Sequence, residues 1–253
     1  MNAAALAAWI QAGLEPAALV VLIGASFLGS FITAAFGIGG GAFLLAVMAS
    51  LLPPLALIPV HGVIQLGSNA LRLAVMIAYV HWPPVAAFTA GTLLGVALGG
   101  SVAVALPPGL VLIGVGLFVL WNVLGRAPRW LVRWPALIGA VTSCLTMFFG
   151  ATGLFVASYT KSLNLPRRAH VASHAAFMTA QHLLKVVAFG LLGVAFGPWL
   201  GFIAAMTLAG FAGTLAGRLV LARVSDRAFR RVLDAILILL SLRLIWVGLA
   251  EFV

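Results

Sequence analysis

Carboxylates are scarce in this chain of 253 residues: Glu15, Asp226, Asp234 and Glu251 are all there are. Chemistry that rests on clustered acids is therefore excluded. Cys144 is the only cysteine, so neither an internal disulfide nor a thiolate metal site is available. Charged residues of both signs make up 7% of the sequence, against 64% apolar residues and a mean hydropathy of +1.23. Soluble domains carry about 25% charged residues, so water cannot be the solvent for most of this surface. Lipid takes that role, and a spanning helix consumes about 20 residues, which leaves little chain for a domain outside the bilayer. No Lys or Arg opens the N-terminus as in a secretory signal, so residues 1–16 read as an uncleaved lead-in.

What charge there is carries one sign. Fourteen Lys and Arg residues give a formal net charge of +10, and they gather between the apolar runs, where they set topology. Nucleic acid is excluded as a partner on that ground, and membrane lipid is expected.

The chain repeats itself at a shift of 113 residues. Ser30 pairs with Ser143, Thr33 with Thr146, Gly37 with Gly150, Gly40 with Gly153, Pro53 with Pro166, His61 with His174 and Arg72 with Lys185. Proline, histidine and a membrane cation keeping one offset mark a duplication. Each copy reads as two short apolar segments joined by a glycine turn, then three longer ones. The first copy predicts segments near 19–36, 41–52, 55–80, 84–106 and 108–125; the second, near 135–149, 152–163, 166–194, 198–220 and 228–250. A 12-residue helix rises only about 18 Å against a hydrocarbon core of about 30 Å, so each pair predicts a re-entrant or broken-helix hairpin, although the first segment of the first pair is long enough to cross fully.

Loop charge orients the scheme. Arg126, Arg129 and Arg133 precede the second hairpin, and Lys161, Arg167 and Arg168 follow it, which places both of its ends on the cytoplasmic side. Three crossings per copy is an odd number, so the copies face opposite ways. The sequence thus predicts an all-α polytopic membrane protein of two inverted repeats, each a hairpin plus three transmembrane helices. The repeats span 17–126 and 135–253, with a basic cytoplasmic linker at 127–134. The loop near His81 should also be cytoplasmic, yet it has no Lys or Arg.

Two features could carry chemistry. The turns Gly37-Ile38-Gly39-Gly40-Gly41 and Gly150-Ala151-Thr152-Gly153 each open a short helix, and exposed backbone N–H groups at a helix N-terminus attract anions. Close packing of membrane helices is the competing reading for such glycines. Neither turn fits a Walker pattern. The second feature is a polar stripe on the long helix after each hairpin. His61, Gln65, Ser68, Asn69 and Arg72 fall within an arc of about 100°, and His170, His174, Gln181, His182 and Lys185 within about 120°. No carboxylate is placed to neutralise Arg72 or Lys185. A cation at mid-bilayer costs at least about 2.5 to 3.5 kcal/mol, and an anionic ligand would relieve that cost. Snorkelling to the surface is the alternative. His170 and His174 share a face but lack further ligands for a metal, so no metal or cofactor is expected; proton carriage suits the histidines better.

With Phe36-Gly37-Ile38-Gly39-Gly40-Gly41, the following Gln65, Asn69 and Arg72, the turn at Gly150–Gly153 and the duplication in view, the sequence resembles the sulfite exporter TauE/SafE family, also described as toluene sulfonate uptake permeases. The second turn departs from the pattern, with two glycines and Thr152. The resemblance implies a transporter, not an enzyme, for sulfite, sulfonates or sulfoacetate in the cell (inner) membrane. The expected site comprises Gly37, Gly39, Gly40, Gly41, His61, Gln65, Asn69, Arg72, Gly150, Thr152, Gly153, His174, Gln181, His182 and Lys185. Expected partners are a small anion, lipid, protons as coupling ion and a second copy of the chain as homodimer. Alternating access with export favoured is the expected mechanism. An anion channel, or an intramembrane enzyme using Ser68 or Thr152 beside a histidine, are the alternatives.

Overall fold

Proline and glycine punctuation sets the helix ends. The computed structural model describes residues 3–37, 39–103, 107–125, 133–220 and 227–252, and no strand occurs among them. The α-helices are α1 (Ala3–Gln11), α2 (Pro16–Phe36), α3 (Gly40–Ala49), α4 (Pro54–Met76), α5 (Val85–Ala103) and α6 (Pro108–Leu124), followed by α7 (Pro135–Phe149), α8 (Gly153–Ser162), α9 (Arg167–Leu191), α10 (Leu200–Val220) and α11 (Arg227–Ala250). All ten predicted segments lie within a few residues of α2 to α11; α1, inside the lead-in, has no counterpart among them. Ile38, Arg126, Arg129 and Arg223, with most of the 127–134 linker, lie outside the described residues.

Helices α2, α4, α6 and α7 start with proline in the first turn, where its missing N–H costs nothing and its φ is already helical. Helices α2 and α7 stop at Gly37 and Gly150, with left-handed φ of 82° and 79°. Each returns its N–H to a threonine carbonyl, Thr33 or Thr146, the glycine-ended cap of many helices. The two turns then part company: Gly39 opens α3 at φ 98°, whereas its counterpart Thr152 opens α8 at φ −86°. Among the described residues the first turn has two left-handed positions and the second one, which accounts for glycine at 39 against Thr152; Gly41, against Leu154, instead makes room for the Gln65 amide.

The main packing partners are α2 with α10, α5 with α7, α4 with α9 and α6 with α11. Glycine permits the closest of these approaches: a Cβ at Gly91 or Gly95 would overlap the carbonyls of Ala136 and Ala140, and one at Gly213 that of Phe27. Ser26 Oγ adds a 2.6 Å bond to the Met206 carbonyl across the α2–α10 contact. Helices α4 and α9 run antiparallel, since His61 faces His182 while Met76 packs on Val171 and Ala172. The loop after α4 therefore lies beside the start of α9. There the His81 N–H donates to Ser173 Oγ at 2.9 Å, and the Arg168 guanidinium sits 5.6 Å over the Tyr79 ring.

Large apolar side chains cover the outside as well as filling the core, and the polar stripes of α4 and α9 face inward. Leu98, Trp246 and Leu219 are 71, 75 and 79% exposed, whereas Arg72, Lys185, Gln181 and His182 are buried. Helix α2, α4 with the 3-10 turn after it, and α10 with the 3-10 turn before it are long and apolar enough to cross a bilayer.

Candidate functional site

The polar interior encloses a cavity of about 30 Å³ where both glycine turns meet α4 and α9. Its lining includes Gly39, Gly41, His61, Gln65, Asn69 and Arg72 from the first copy, and Gly150, Gly153, His174 and His182 from the second. Of the fifteen residues proposed from the sequence, these ten converge; Gly37, Gly40, Thr152, Gln181 and Lys185 do not line the space.

The first copy's stripe is a connected relay. Asn69 Nδ2 donates to the Gln65 carbonyl at 2.8 Å and to Gln65 Oε1 at 3.3 Å. Arg72 donates through one terminal nitrogen to Asn69 Oδ1 at 2.9 Å and through the other to Thr214 Oγ1 at 3.3 Å, while its Nε has no partner. Both partners are neutral, so the guanidinium keeps its charge uncompensated at 2% exposure. His61 Nε2 lies 3.2 Å from the Gly41 carbonyl and 3.2 Å from Gln65 Nε2. One ring nitrogen can donate to the carbonyl or accept from the amide, not both.

The second copy is wired differently. His174 Nε2 approaches the Gly153 carbonyl at 3.1 Å, a contact like that of His61 with Gly41 but shifted by one residue in the repeat register. Gln181, however, is committed elsewhere: its Nε2 donates to Thr152 Oγ1 at 2.7 Å and to the Thr142 carbonyl at 3.0 Å. Gln65 has Met178 as its counterpart at the 113-residue offset, and Met178 lines the cavity with a thioether instead of an amide. Lys185 sits beside Gly62, with its Nζ 5.9 Å over the Phe189 ring and no hydrogen-bond partner.

Sequence reasoning missed Thr33, Met178 and Thr214. The Thr33–Thr146 pairing was a usable signal for the first. Ser68 Oγ and Thr152 Oγ1, the candidate nucleophiles, bond to Ser30 and Gln181, and neither contact is to a histidine. Among the described residues no three His, Cys, Asp or Glu side chains cluster, so His170 and His174 find no third ligand there.

Leucines turned outward around a polar interior that holds uncompensated cations define an integral membrane protein of the all-α class. The family model for the sulfite exporter TauE/SafE family matches residues 22–244. The chain belongs to that family of membrane transporters, as the glycine turns and the Gln65, Asn69 and Arg72 stripe suggested. Neither the curated proteins nor the solved structures yield a match.

Proposed function

We propose that the protein is a multi-pass secondary carrier of the cell (inner) membrane that moves a small sulfur-containing anion of the sulfite, sulfonate or sulfoacetate type. The observation that carries this reading is Arg72, a buried guanidinium whose bonds go only to neutral groups and which lines a cavity framed by two glycine turns. A cation so placed is costly until an anion joins it. Arg72 supplies the charge, backbone N–H groups at the starts of α3 and α8 hold ligand oxygens, and His61, Gln65, Asn69, His174 and His182 orient the ligand. Lys185 contributes positive potential from outside the lining, and Gln181 fixes Thr152.

Alternating access follows from two inverted repeats, residues 17–126 and 135–253, moving against each other. Three features support the inversion. The equivalent helices α4 and α9 are antiparallel, α6 packs on α11, and the contact of α2 with α10 is answered by that of α7 with α5. Arg168, at the start of α9, packs over Tyr79 and so supports a cytoplasmic position for the residues near His81, whose own sequence lacks a cation. A cavity of about 30 Å³ holds one or two waters, so loading a sulfur oxyanion requires the turns to part. His61 offers a route to proton coupling: the imidazolium, protonated on both nitrogens, can bond only the Gly41 carbonyl, whereas the neutral ring with its proton on Nδ1 accepts from Gln65. A negative-inside potential favours export by about 2.3 kcal/mol per charge per 100 mV.

Sulfite and sulfonate flux into proteoliposomes tests this. Saturable flux with counterflow is expected from a carrier, and linear flux without counterflow would identify a channel. Loss of transport in Arg72→Ala is expected; undiminished transport would remove the charge assignment.

A further inference from the structure

A second pocket, about 590 Å³, opens where the ends of α4, α9 and α10 meet. Its lining includes Met76, Tyr79, Arg168, Leu215, Arg218 and Leu219, and no acid is among the described lining residues. It is separate from the cavity around Arg72 and shares no residue with it.

The two arginines are placed differently. Arg218 lies in the last turn of α10, where the helix dipole favours a cation. Arg168 lies in the first turn of α9, which contains no acid, and there the dipole opposes a cation and favours an anion. Arg168 is nevertheless held in place, 5.6 Å over the Tyr79 ring and 3.4 Å from its hydroxyl. An anion beside it would be attracted by the guanidinium and by the helix start together. The remaining wall is apolar and outward-facing: Leu215 is 41% and Leu219 79% exposed. A free inorganic anion has no use for that wall, whereas an anion joined to an acyl chain covers both surfaces.

We infer that this pocket binds an anionic phospholipid, its phosphate between Arg168 and Arg218 and its acyl chain along Leu215 and Leu219. The inference rests on the orientation proposed above, which puts these arginines at the cytoplasmic leaflet, where anionic lipid and basic pockets between helices meet. It does not rest on the transport reading. Its neighbourhood gives it consequence: Leu215 adjoins Thr214, which bonds Arg72.

Purified full-length protein in a neutral detergent, titrated with short-chain phosphatidylglycerol, phosphatidylcholine or inorganic phosphate, tests it by melting temperature and native mass spectrometry. Phosphatidylglycerol is expected to raise the melting temperature and stay bound. The double variant Arg168→Gln, Arg218→Gln is expected to lose about tenfold or more in that affinity, the loss of one or two charge-assisted contacts, while sulfite still stabilises it. Leu219→Glu, which leaves the arginines intact, should weaken phosphatidylglycerol alone and serves if the double variant does not fold. Equal binding of phosphatidylcholine, or undiminished phosphatidylglycerol binding by the variants, would overturn the inference. An arginine-dependent response to inorganic phosphate as strong as that to phosphatidylglycerol would overturn it too, marking a soluble-anion vestibule. Failure of sulfite to stabilise any form would count against the transport reading alone.

Discussion

The two glycine turns match in sequence at an offset of 113 residues, yet only in the first does the glycine that opens the short helix approach the backbone of its own hairpin. A Cβ at Gly40 would overlap the carbonyl of Gly29, so α2 and α3 touch main chain to main chain. At the equivalent Gly153 the nearest atom would be the Met178 methyl at 3.6 Å, an ordinary contact. The polar stripes diverge in the same direction. The first copy strings His61, Gln65, Asn69 and Arg72 into one hydrogen-bonded chain, while the second places Met178 at the cavity, ties Gln181 to Thr152 and leaves Lys185 outside the lining. The two segments that match at the 113-residue offset therefore differ in their wiring: both reach the cavity, but the longer hydrogen-bonded run belongs to the first.

The largest expected effect comes from breaking that contrast at its tightest point. Gly40→Ala should cost about 3 kcal/mol or more by forcing backbones apart, while Gly153→Ala should lie within about 1 kcal/mol of wild type; thermal melts of the two purified variants compare them directly, and equal losses would erase the asymmetry. Next are the two cations. Arg72→Met should reduce transport about 10- to 100-fold, the worth of one charged hydrogen bond. Lys185→Met should reduce it about tenfold at most and stabilise the fold by about 1 to 3 kcal/mol, since it removes a buried amine that has no partner. Equal transport losses in proteoliposomes would show that Lys185 reaches the ligand in another conformation. Gly39→Ala should then cost about 1 to 2 kcal/mol for its left-handed φ; Thr152→Gly, at an ordinary φ, should cost about 1 to 3 kcal/mol for a different reason, the loss of the hydroxyl that accepts from Gln181, and thermal melts of both variants check this. Met178→Gln is the smallest: giving the second stripe the amide of the first should change apparent sulfite affinity by threefold or less, read from saturation curves.

Much of this was legible in the sequence because its signals are local. Proline pairs and glycine turns break an apolar chain wherever they fall, so their positions alone mark out ten helices. The first stripe was legible because a helix brings residues three and four apart onto one face, and Asn69 and Arg72 hydrogen-bond at that spacing. Contacts between distant segments were not. Thr214 meets Arg72 across 142 positions from a helix whose other polar side chains are Thr207 and Arg218, and local spacing does not name a partner on another helix. Met178 reads as core by composition, and only its place opposite Gln65 in the duplication shows what it replaced. Gln181 and Lys185 lie on the predicted face of α9, yet that face is about 120° wide. At about 100° per residue, His182 stands at the edge of that face and lines the cavity, whereas Lys185 falls in its middle and does not, so position along the helix axis decides as much as angle. Helix α1, nine residues long, is too short for periodicity to announce it.

The pairing of α2 with α10 also has a consequence for biogenesis. Ser26 and its carbonyl partner Met206 are 180 positions apart. At about 5 to 20 residues per second, a ribosome needs roughly 9 to 36 s to bridge that distance. Through that interval α2 is without α10, and Ser26 lacks the carbonyl it bonds in the finished fold. The N-terminal half is thus made early and completed late.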